Sequence, residues 1–310
     1  MPLLYFTLLA AFLCSGFAQF SAVEPEQEAK VAITPRRELR HTPATLRADV
    51  KLILVPVSVT DGRDRPVTEL PKESFRVLED GVEQTITSFA REESPISAGL
   101  LIDSSGSMKT RMDASVEALK CFFQTTIPGD EFFVLQFADQ PRTLGGFTAD
   151  PAEIQRRLGF IEPKGWTAML DAVAVGTHQM KGARNRRRIL LILSDGNDNN
   201  SRFTEGEIRN IVIEADVRVY AIALHYRPRL LRQLADETGG NVLVAQSIAE
   251  LPAVVERLSA EIRSEYLLGY TSTNRPNDGK YHRVKVEVVP PAGSPALHAS
   301  WRRGYYAPGE

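Results

Sequence analysis

Short, continuous apolar runs alternate with amphipathic segments between Ser97 and Arg263. Five runs predict strands: Ser97–Ile102, Phe132–Phe137, Arg188–Leu193, Arg218–Leu224 and Asn241–Ala245. The third has five consecutive apolar residues, which is typical of a strand buried on both faces. Between the strands, helical spacing of apolar residues predicts helices that include Met112–Phe123, Leu170–Ala174, Glu205–Ala215, Arg229–Thr238 and Glu250–Arg263. Strand–helix alternation predicts an α/β fold with a doubly wound, mostly parallel sheet.

Both flanks of this region have the two-residue period of β-strands. In the first flank, Val55, Val57 and Val59 alternate with polar residues or proline. A Glu79-Asp80-Gly81 turn then separates Phe75–Leu78 from Thr85–Phe89, which predicts a β-hairpin. The second flank has strand patterns at Tyr266–Tyr270, His282–Val289 and Trp301–Tyr306.

Neither flank has enough strands to bury a core alone. We therefore predict that they pair into one small β-sandwich-like domain and that the α/β domain is inserted between them. The corresponding boundaries are 48–92 and 264–308 for the two parts of the β domain and 95–263 for the α/β domain.

The N-terminal residues predict export from the cytoplasm. Residues 1–18 form an apolar segment with Gly16 and Ala18 at positions −3 and −1 of a cleavage site, as in a signal peptide. Residues 19–47 are polar and aperiodic and predict a flexible leader. The expected location is secreted or periplasmic. No Lys or Arg precedes the apolar run, so an uncleaved membrane anchor remains an alternative.

The net charge and the cysteine count argue against a nucleic-acid partner and against an internal disulfide. The formal net charge is −2, which gives no strong attraction to nucleic acid. Cleavage after Ala18 removes Cys14 and leaves only Cys121, so the mature chain has no internal disulfide. Cys121 lies within a helical pattern and is interpreted as a small packed hydrophobe.

The apolar run Leu100–Ile102 ends in a cluster of oxygen-bearing side chains. Asp103, Ser105 and Ser107 follow it at alternating positions. In open α/β sheets, ligands bind in the crevice outside the carboxyl ends of the strands. Hard oxygen donors with little negative charge suit Mg²⁺. The alternative is a serine-rich loop that only caps the next helix.

Two further segments place oxygen donors at the same predicted sheet edge. Ser194 and Asp195 follow the most apolar strand and precede Gly196. Thr167 lies at the predicted start of a helix, where its hydroxyl is suited to capping. The topology therefore predicts that three loops converge on one site.

These residues resemble the metal-ion-dependent adhesion site of the von Willebrand factor type A (VWA) fold. Asp103, Ser105 and Ser107 match its Asp-x-Ser-x-Ser motif, and Thr167 and Asp195 match its distal threonine and aspartate. Phe75–Phe89 and the C-terminal Arg-Arg-Gly-Tyr-Tyr-Ala-Pro resemble a bacterial family of secreted VWFA-related proteins. The resemblance covers roughly residues 48–308.

The resemblance implies a particular metal chemistry. The Ser105 and Ser107 hydroxyls would bind Mg²⁺ directly, with Mn²⁺ or Ca²⁺ as alternatives. Asp103 and Asp195 would act through water, and Thr167 would bind directly or through water. The remaining coordination position would accept a Glu or Asp from a protein or surface ligand.

Three nearby residues allow two interpretations each. Trp166 departs from the small residue common in the family, and it either shapes the rim of the site or packs against it. Asp198 either supports the metal or lies in a solvated turn. Asp171 either supports the site or favours the start of its helix.

The sequence favours a binding module over an enzyme. A metal-assisted phosphoester hydrolase using Asp103 is one alternative, and a structural domain with an incidental metal is another. Few acid–base groups lie near the motifs, and no phosphate-binding glycine loop is present. Among the five scattered histidines, only His225 follows a strand of the sheet, and a surface position is expected for it.

Overall fold

The computed structural model describes residues 52–196, 198–226, 228–273, 278–290 and 296–307. The predicted signal peptide (1–18) and leader (19–47) lie outside these residues. Within the described part of the chain, no helix has the length and apolar character needed to cross a membrane.

The strands and helices follow the predicted alternation along the chain. The strands are β1 (Leu52–Asp61), β2 (Phe75–Glu79), β3 (Val82–Gln84), β4 (Ile86–Glu92), β5 (Ile96–Asp103), β6 (Glu131–Phe137), β7 (Pro141–Thr143), β8 (Arg187–Ser194), β9 (Arg218–Leu224), β10 (Val242–Ala245), β11 (Glu265–Thr271), β12 (Tyr281–Val288), β13 (Leu297–Trp301) and β14 (Gly304–Tyr306). The α-helices are α1 (Met112–Phe123), α2 (Pro151–Leu158), α3 (Met169–Gln179), α4 (Glu205–Glu214), α5 (Arg229–Thr238) and α6 (Leu251–Arg263).

The middle of the chain forms a six-stranded sheet with the order β10-β9-β8-β5-β6-β7. All its pairings are parallel except that of the edge strand β7 with β6. Every residue of β5 is buried, because apolar clusters cover both faces of the sheet. Residues of α1, α2 and α6 contribute to one cluster, and residues of α3, α4 and α5 contribute to the other. The predicted doubly wound α/β class is confirmed.

The two flanks combine into two antiparallel sheets. One has the order β13-β1-β11-β4 and the other has the order β14-β12-β2-β3, so each sheet takes strands from both ends of the described chain. Residues of both sheets form a third apolar cluster, in which the rings of Phe75, Phe89 and Tyr266 are in contact. This is the sandwich-like arrangement that the incomplete flanks predict.

The predicted hairpin is wrong in its second strand. The Asp80-Gly81 turn has the expected positive φ angles, but it connects β2 to the three-residue strand β3. The segment assigned to the hairpin, Thr85–Phe89, overlaps β4, which pairs with β11 in the opposite sheet. Pairing with β11 allows a longer ladder and brings Phe89 against Tyr266. A turn signal identifies the bend but does not identify which later residues pair across it.

Candidate metal-binding site

The candidate site lies where the chain reverses its direction across the central sheet. From β5 the chain continues outward to β6 and β7, and it then returns to β8 on the other side of β5. Adjacent parallel strands whose connections leave in opposite directions form a crevice at their carboxyl ends. Asp103 ends β5 and Ser194 ends β8, and Asp195 follows Ser194. The strand pairing therefore brings two predicted site segments together.

Asp103 is completely buried, and both of its carboxylate oxygens accept hydrogen bonds. The backbone N–H of Ser105 donates to Oδ1 (2.8 Å), and the hydroxyl of Ser194 donates to Oδ2 (2.6 Å). Burial raises the pKa of Asp103, repulsion from Asp195 raises it further, and the hydrogen bonds oppose the rise. Asp103 therefore fixes the loop that carries the two serines.

Ser105, Ser107 and Asp195 form a continuous chain of oxygen atoms. The two serine Oγ atoms lie 3.0 Å apart, and Ser107 donates to Asp195 Oδ1 at 2.7 Å. Ser105 is buried whereas Ser107 is exposed, so the chain runs from the protein interior to the solvent. Gly106–Thr110 form a 3-10 helix between this loop and α1, which begins at Met112 as predicted.

Thr167 belongs to a third loop that is tied to the other two. The N–H of Gly106 donates to the carbonyl of Gly165 (3.0 Å), and the N–H of Thr167 donates to Asn199 Oδ1 (2.9 Å). A Cβ built on Gly196 would lie 4.0 Å from Thr167 Oγ1, which places this hydroxyl beside the Asp195 loop. The predicted convergence of the three loops is observed.

Thr167 does not cap the helix that it precedes. Ala168 occupies the N-cap position of α3, and Asp198 Oδ1 accepts hydrogen bonds from the first-turn N–H groups of Met169 (2.8 Å) and Leu170 (3.1 Å). Asp198 is therefore neither a solvated turn residue nor a direct neighbour of the serines. It takes the capping role expected of Thr167.

Asp171 fixes the loop that leads into α4. Its carboxylate accepts the backbone N–H groups of Arg202 (2.9 Å) and Phe203 (3.1 Å), and it is 3% exposed. These contacts connect α3 to the segment that follows Asp198. Asp171 thus organises the surroundings of the site rather than contributing oxygen to it.

Arg111 is a charged neighbour of the site that the sequence patterns did not indicate. Its guanidinium pairs with Asp195 Oδ2, and Nη1 also lies 3.3 Å from the Ser107 carbonyl. The Asp195 side chain is only 2% exposed. A carboxylate at this depth needs a nearby positive charge or several hydrogen bonds, and Arg111 supplies the charge.

The donor set fits a hard divalent cation. Two hydroxyls and a carboxylate form one connected group, with a third hydroxyl on the adjoining loop. Alcohol and carboxylate oxygens are the ligands that Mg²⁺, Mn²⁺ and Ca²⁺ prefer. The negative charge of Asp195 attracts a cation to this group of oxygen atoms, and its ion pair with Arg111 is an example of that attraction.

The side chain of Trp166 is largely exposed. It is 65% exposed although it directly precedes Thr167, which is 4% exposed. Of the two interpretations, this exposure contradicts packing against the rim. The sequence pattern did not distinguish a buried indole from a displayed one, because Trp166 lies in an aperiodic loop.

A second group of potential ligands lies in the sandwich and was missed by the sequence analysis. Oxygen atoms of Glu79 and Asp80 and a ring nitrogen of His282 lie within 4.8 Å of one another. His282 Nδ1 lies 2.7 Å from Asp80, and Nε2 lies 3.1 Å from Asp278. Because carboxylates face both nitrogens, the ring is suited to be a protonated imidazolium. His225, in contrast, is exposed, as expected.

The comparisons with known proteins identify the central domain. Residues 99–197 match the von Willebrand factor type A domain. A solved structure described as von Willebrand factor type A from Catenulispora acidiphila aligns with a TM-score of 0.51 and 16% identity, covering 84% of this chain and 74% of that one.

A second solved structure with the same fold comes from an animal. It is proximal thread matrix protein 1 from the mussel byssus, described as having a zinc-occupied MIDAS motif. It aligns with a TM-score of 0.51 and 16% identity, covering 59% of this chain and 49% of that one. No curated protein matches the sequence. Residues 99–197 therefore match a VWA domain, and the two solved structures show a similar fold.

Proposed function

We propose that the VWA domain is a metal-dependent binding module that captures an acidic group of a partner outside the cytoplasm. The connected oxygens of Ser105, Ser107 and Asp195 are the observation that supports this proposal. The two serine hydroxyls would hold the cation, with Thr167 on the adjoining loop and Asp103 fixing the serine loop. A bound Mg²⁺ supplies positive charge and an open coordination position for a carboxylate.

The protein's own residues account for selectivity toward an acidic partner. Hydroxyl ligands are neutral, so they leave most of the charge of a divalent cation uncompensated. Asp103 already accepts two hydrogen bonds, and Asp198 and Asp171 are engaged with backbone N–H groups. No carboxylate other than Asp195 contacts the exposed Ser107 among the described residues. An incoming carboxylate would therefore meet an electropositive site.

Mg²⁺ binding is tested first by thermal unfolding. Saturating Mg²⁺ should stabilise the protein, by about 2.7 kcal/mol at a hundredfold excess over the dissociation constant. Asp103→Ala and Ser107→Ala should each lose this stabilisation. Ser104→Ala is the matched control, because its buried hydroxyl donates to the Phe137 carbonyl (3.0 Å) and takes no part in the oxygen chain. An unchanged melting temperature in the intact protein would refute the metal site.

Partner capture is tested with the extracytoplasmic fraction of the source cells. Protein retained with Mg²⁺ and released by a chelator should be absent when the bait is Ser107→Ala. Blocking the carboxylates of the retained partner should abolish its capture. Turnover of a generic phosphoester that disappears in Asp103→Ala would instead establish a hydrolase and overturn the binding-module proposal.

A further inference from the structure

Trp166 displays a large apolar ring at the edge of the candidate metal site. It is 65% exposed, whereas the adjacent Thr167 is buried. Tryptophan is enriched among the residues that contribute most to binding at protein interfaces. The exposed ring is therefore available for contact with a partner that binds at the metal site.

The backbone that carries Trp166 is fixed by three successive hydrogen bonds. Lys164 N–H donates to the Ser104 carbonyl (2.7 Å), and Trp166 N–H donates to Asp139 Oδ1 (2.8 Å). Between them, the Gly165 carbonyl accepts the N–H of Gly106 (3.0 Å). The backbone that carries the indole is thus held beside the serine loop before any partner arrives, which lowers the entropy cost of binding.

Gly165 makes this loop shape possible. Its φ is +84°, and a Cβ at this position would lie 2.6 Å from the Asp139 carboxylate oxygens. Only glycine satisfies both conditions without strain. The close approach of Asp139 from another loop in turn fixes the N–H of Trp166, so the backbone position of this residue depends on both Gly165 and Asp139.

Two exposed lysines contribute positive charge to this edge, which also carries the carboxylate of Asp139. Lys109 and Lys164 are exposed, and neither forms an ion pair with a carboxylate of the described residues. Lys109 lies two residues after Ser107, and Lys164 lies two residues before Trp166. Lys109 lies in the 3-10 helix that contains Ser107, and the Lys164 N–H donates to the Ser104 carbonyl, so both lysines belong to segments that form the site. Their charges favour an acidic segment over a neutral one.

We infer that the partner is an acidic protein segment in which the metal-bound Asp or Glu is adjacent to an aromatic or large aliphatic side chain that packs on Trp166. This inference rests on the proposed function, since the carboxylate needs the cation. It adds a second contact, which provides selectivity among acidic segments that the cation alone attracts equally.

The test compares three fluorescein-labelled peptides by anisotropy, with Mg²⁺ or with chelator. Their sequences are Gly-Ser-Asp-Phe-Ser-Gly, Gly-Ser-Asp-Ser-Ser-Gly and Gly-Ser-Asn-Phe-Ser-Gly. With Mg²⁺, the Asp-Phe peptide should bind about tenfold more tightly than the Asp-Ser peptide, as expected for one aromatic contact. Trp166→Ala should bind both equally, and Trp166→Phe should keep part of the preference.

Tyr306→Ala is the matched control, since Tyr306 is an aromatic residue of the sandwich with 48% exposure. It should keep the full tenfold preference. The Mg²⁺-dependent melting shift of each variant is measured in parallel and reports whether the cation site is intact.

The outcomes separate the inference from the proposed function. If the wild-type protein binds the Asp-Phe and Asp-Ser peptides equally, or if Trp166→Ala keeps the preference, the inference is wrong while the metal-dependent module stands. If no peptide binds although Mg²⁺ shifts the melting temperature, the assigned partner class is wrong. The acidic polysaccharide polygalacturonate is tested in the same way, and its binding in place of the peptides would lead to the same conclusion. Equal binding of the Asn-Phe peptide, or indifference to chelator, would refute the carboxylate–metal contact itself.

Discussion

The ion pair between Arg111 and Asp195 places an internal cation beside the oxygens proposed to hold Mg²⁺. Arg111→Gln should therefore raise the affinity for Mg²⁺ about tenfold, because removing a nearby positive charge at an effective dielectric constant of about 20 changes the binding energy by more than about 1 kcal/mol. The metal-free variant should be less stable by about 2 kcal/mol, since Asp195 loses its charged partner. Calorimetric Mg²⁺ titration and urea unfolding measure the two effects.

Lys109→Gln is the control for this prediction. It removes one positive charge near Ser107 from a side chain without an ion pair among the described residues, so it should change metal-free stability little. A fall in Mg²⁺ affinity in Arg111→Gln would mean that Arg111 orients Asp195 for the cation instead of competing with it.

At the residue scale, the sequence predicted the group but not its internal contacts. Asp103, Ser105 and Ser107 were identifiable because an apolar strand ends directly before them. Arg111 was not identifiable as a neighbour of the site, because nothing in the sequence around it indicates a contact with Asp195. Its long side chain reaches Asp195 from the start of α1. Thr167 was expected to cap α3 but Asp198 does so, because either side chain can cap a helix and only the fold decides which one lies at its end.

At the element scale, the start of α3 depends on a residue from another loop. Asp198→Ala removes the acceptor for two first-turn N–H groups and should lower the free energy of unfolding by about 1–2 kcal/mol. It should also weaken Mg²⁺ binding, since the same loop contacts Thr167 through Asn199. Asp150→Ala, which removes the N-cap of α2, should reduce stability alone. Equal Mg²⁺ affinity in both variants would disprove the coupling between the α3 cap and the site.

Element boundaries were predictable where burial dictates the pattern. β9 and α5 begin and end as predicted, since each has a clear apolar pattern and defined ends. The helix α2 was missed because only Ile154 and Leu158 mark its buried face, and three-residue β7 is too short to show a period. The partner of β2 was misassigned for a different reason, since pairing between sheets depends on distant residues such as Tyr266.

At the scale of the whole molecule, the sandwich joins residues from opposite ends of the described chain. β1 pairs with both β11 and β13, and β2 pairs with β12, so the ends of the VWA domain are connected by antiparallel ladders. Incomplete strand sets on both sides made this pairing predictable. The contact between His282 of β12 and Asp80 beside β2 was not predictable from the sequence. It depends on the register in which β12 pairs with β2.

This contact predicts how stability depends on pH. Burial lowers the pKa of His282, but hydrogen bonds and attraction from Asp80 and Asp278 outweigh burial and raise it above its ordinary value. Glu79 also faces the ring at 3.8 Å, and Tyr305 stacks on it. A histidine with a raised folded pKa stabilises the protein fully below its unfolded pKa of about 6.5, and the contribution is lost as pH rises through the folded pKa.

The free energy of unfolding should therefore decrease as pH rises above about 6.5. In a Trp166→Phe background, fluorescence reports only Trp301, which is 9% exposed and donates its indole N–H to the Val284 carbonyl of the sandwich. Urea unfolding at a series of pH values from about 6.5 upward should show the decrease. His282→Gln should reduce the slope of the free energy of unfolding against pH. His225→Gln, at an exposed histidine, should leave the slope unchanged. An identical slope in His282→Gln would show that protonation of this ring does not hold the two flanks together.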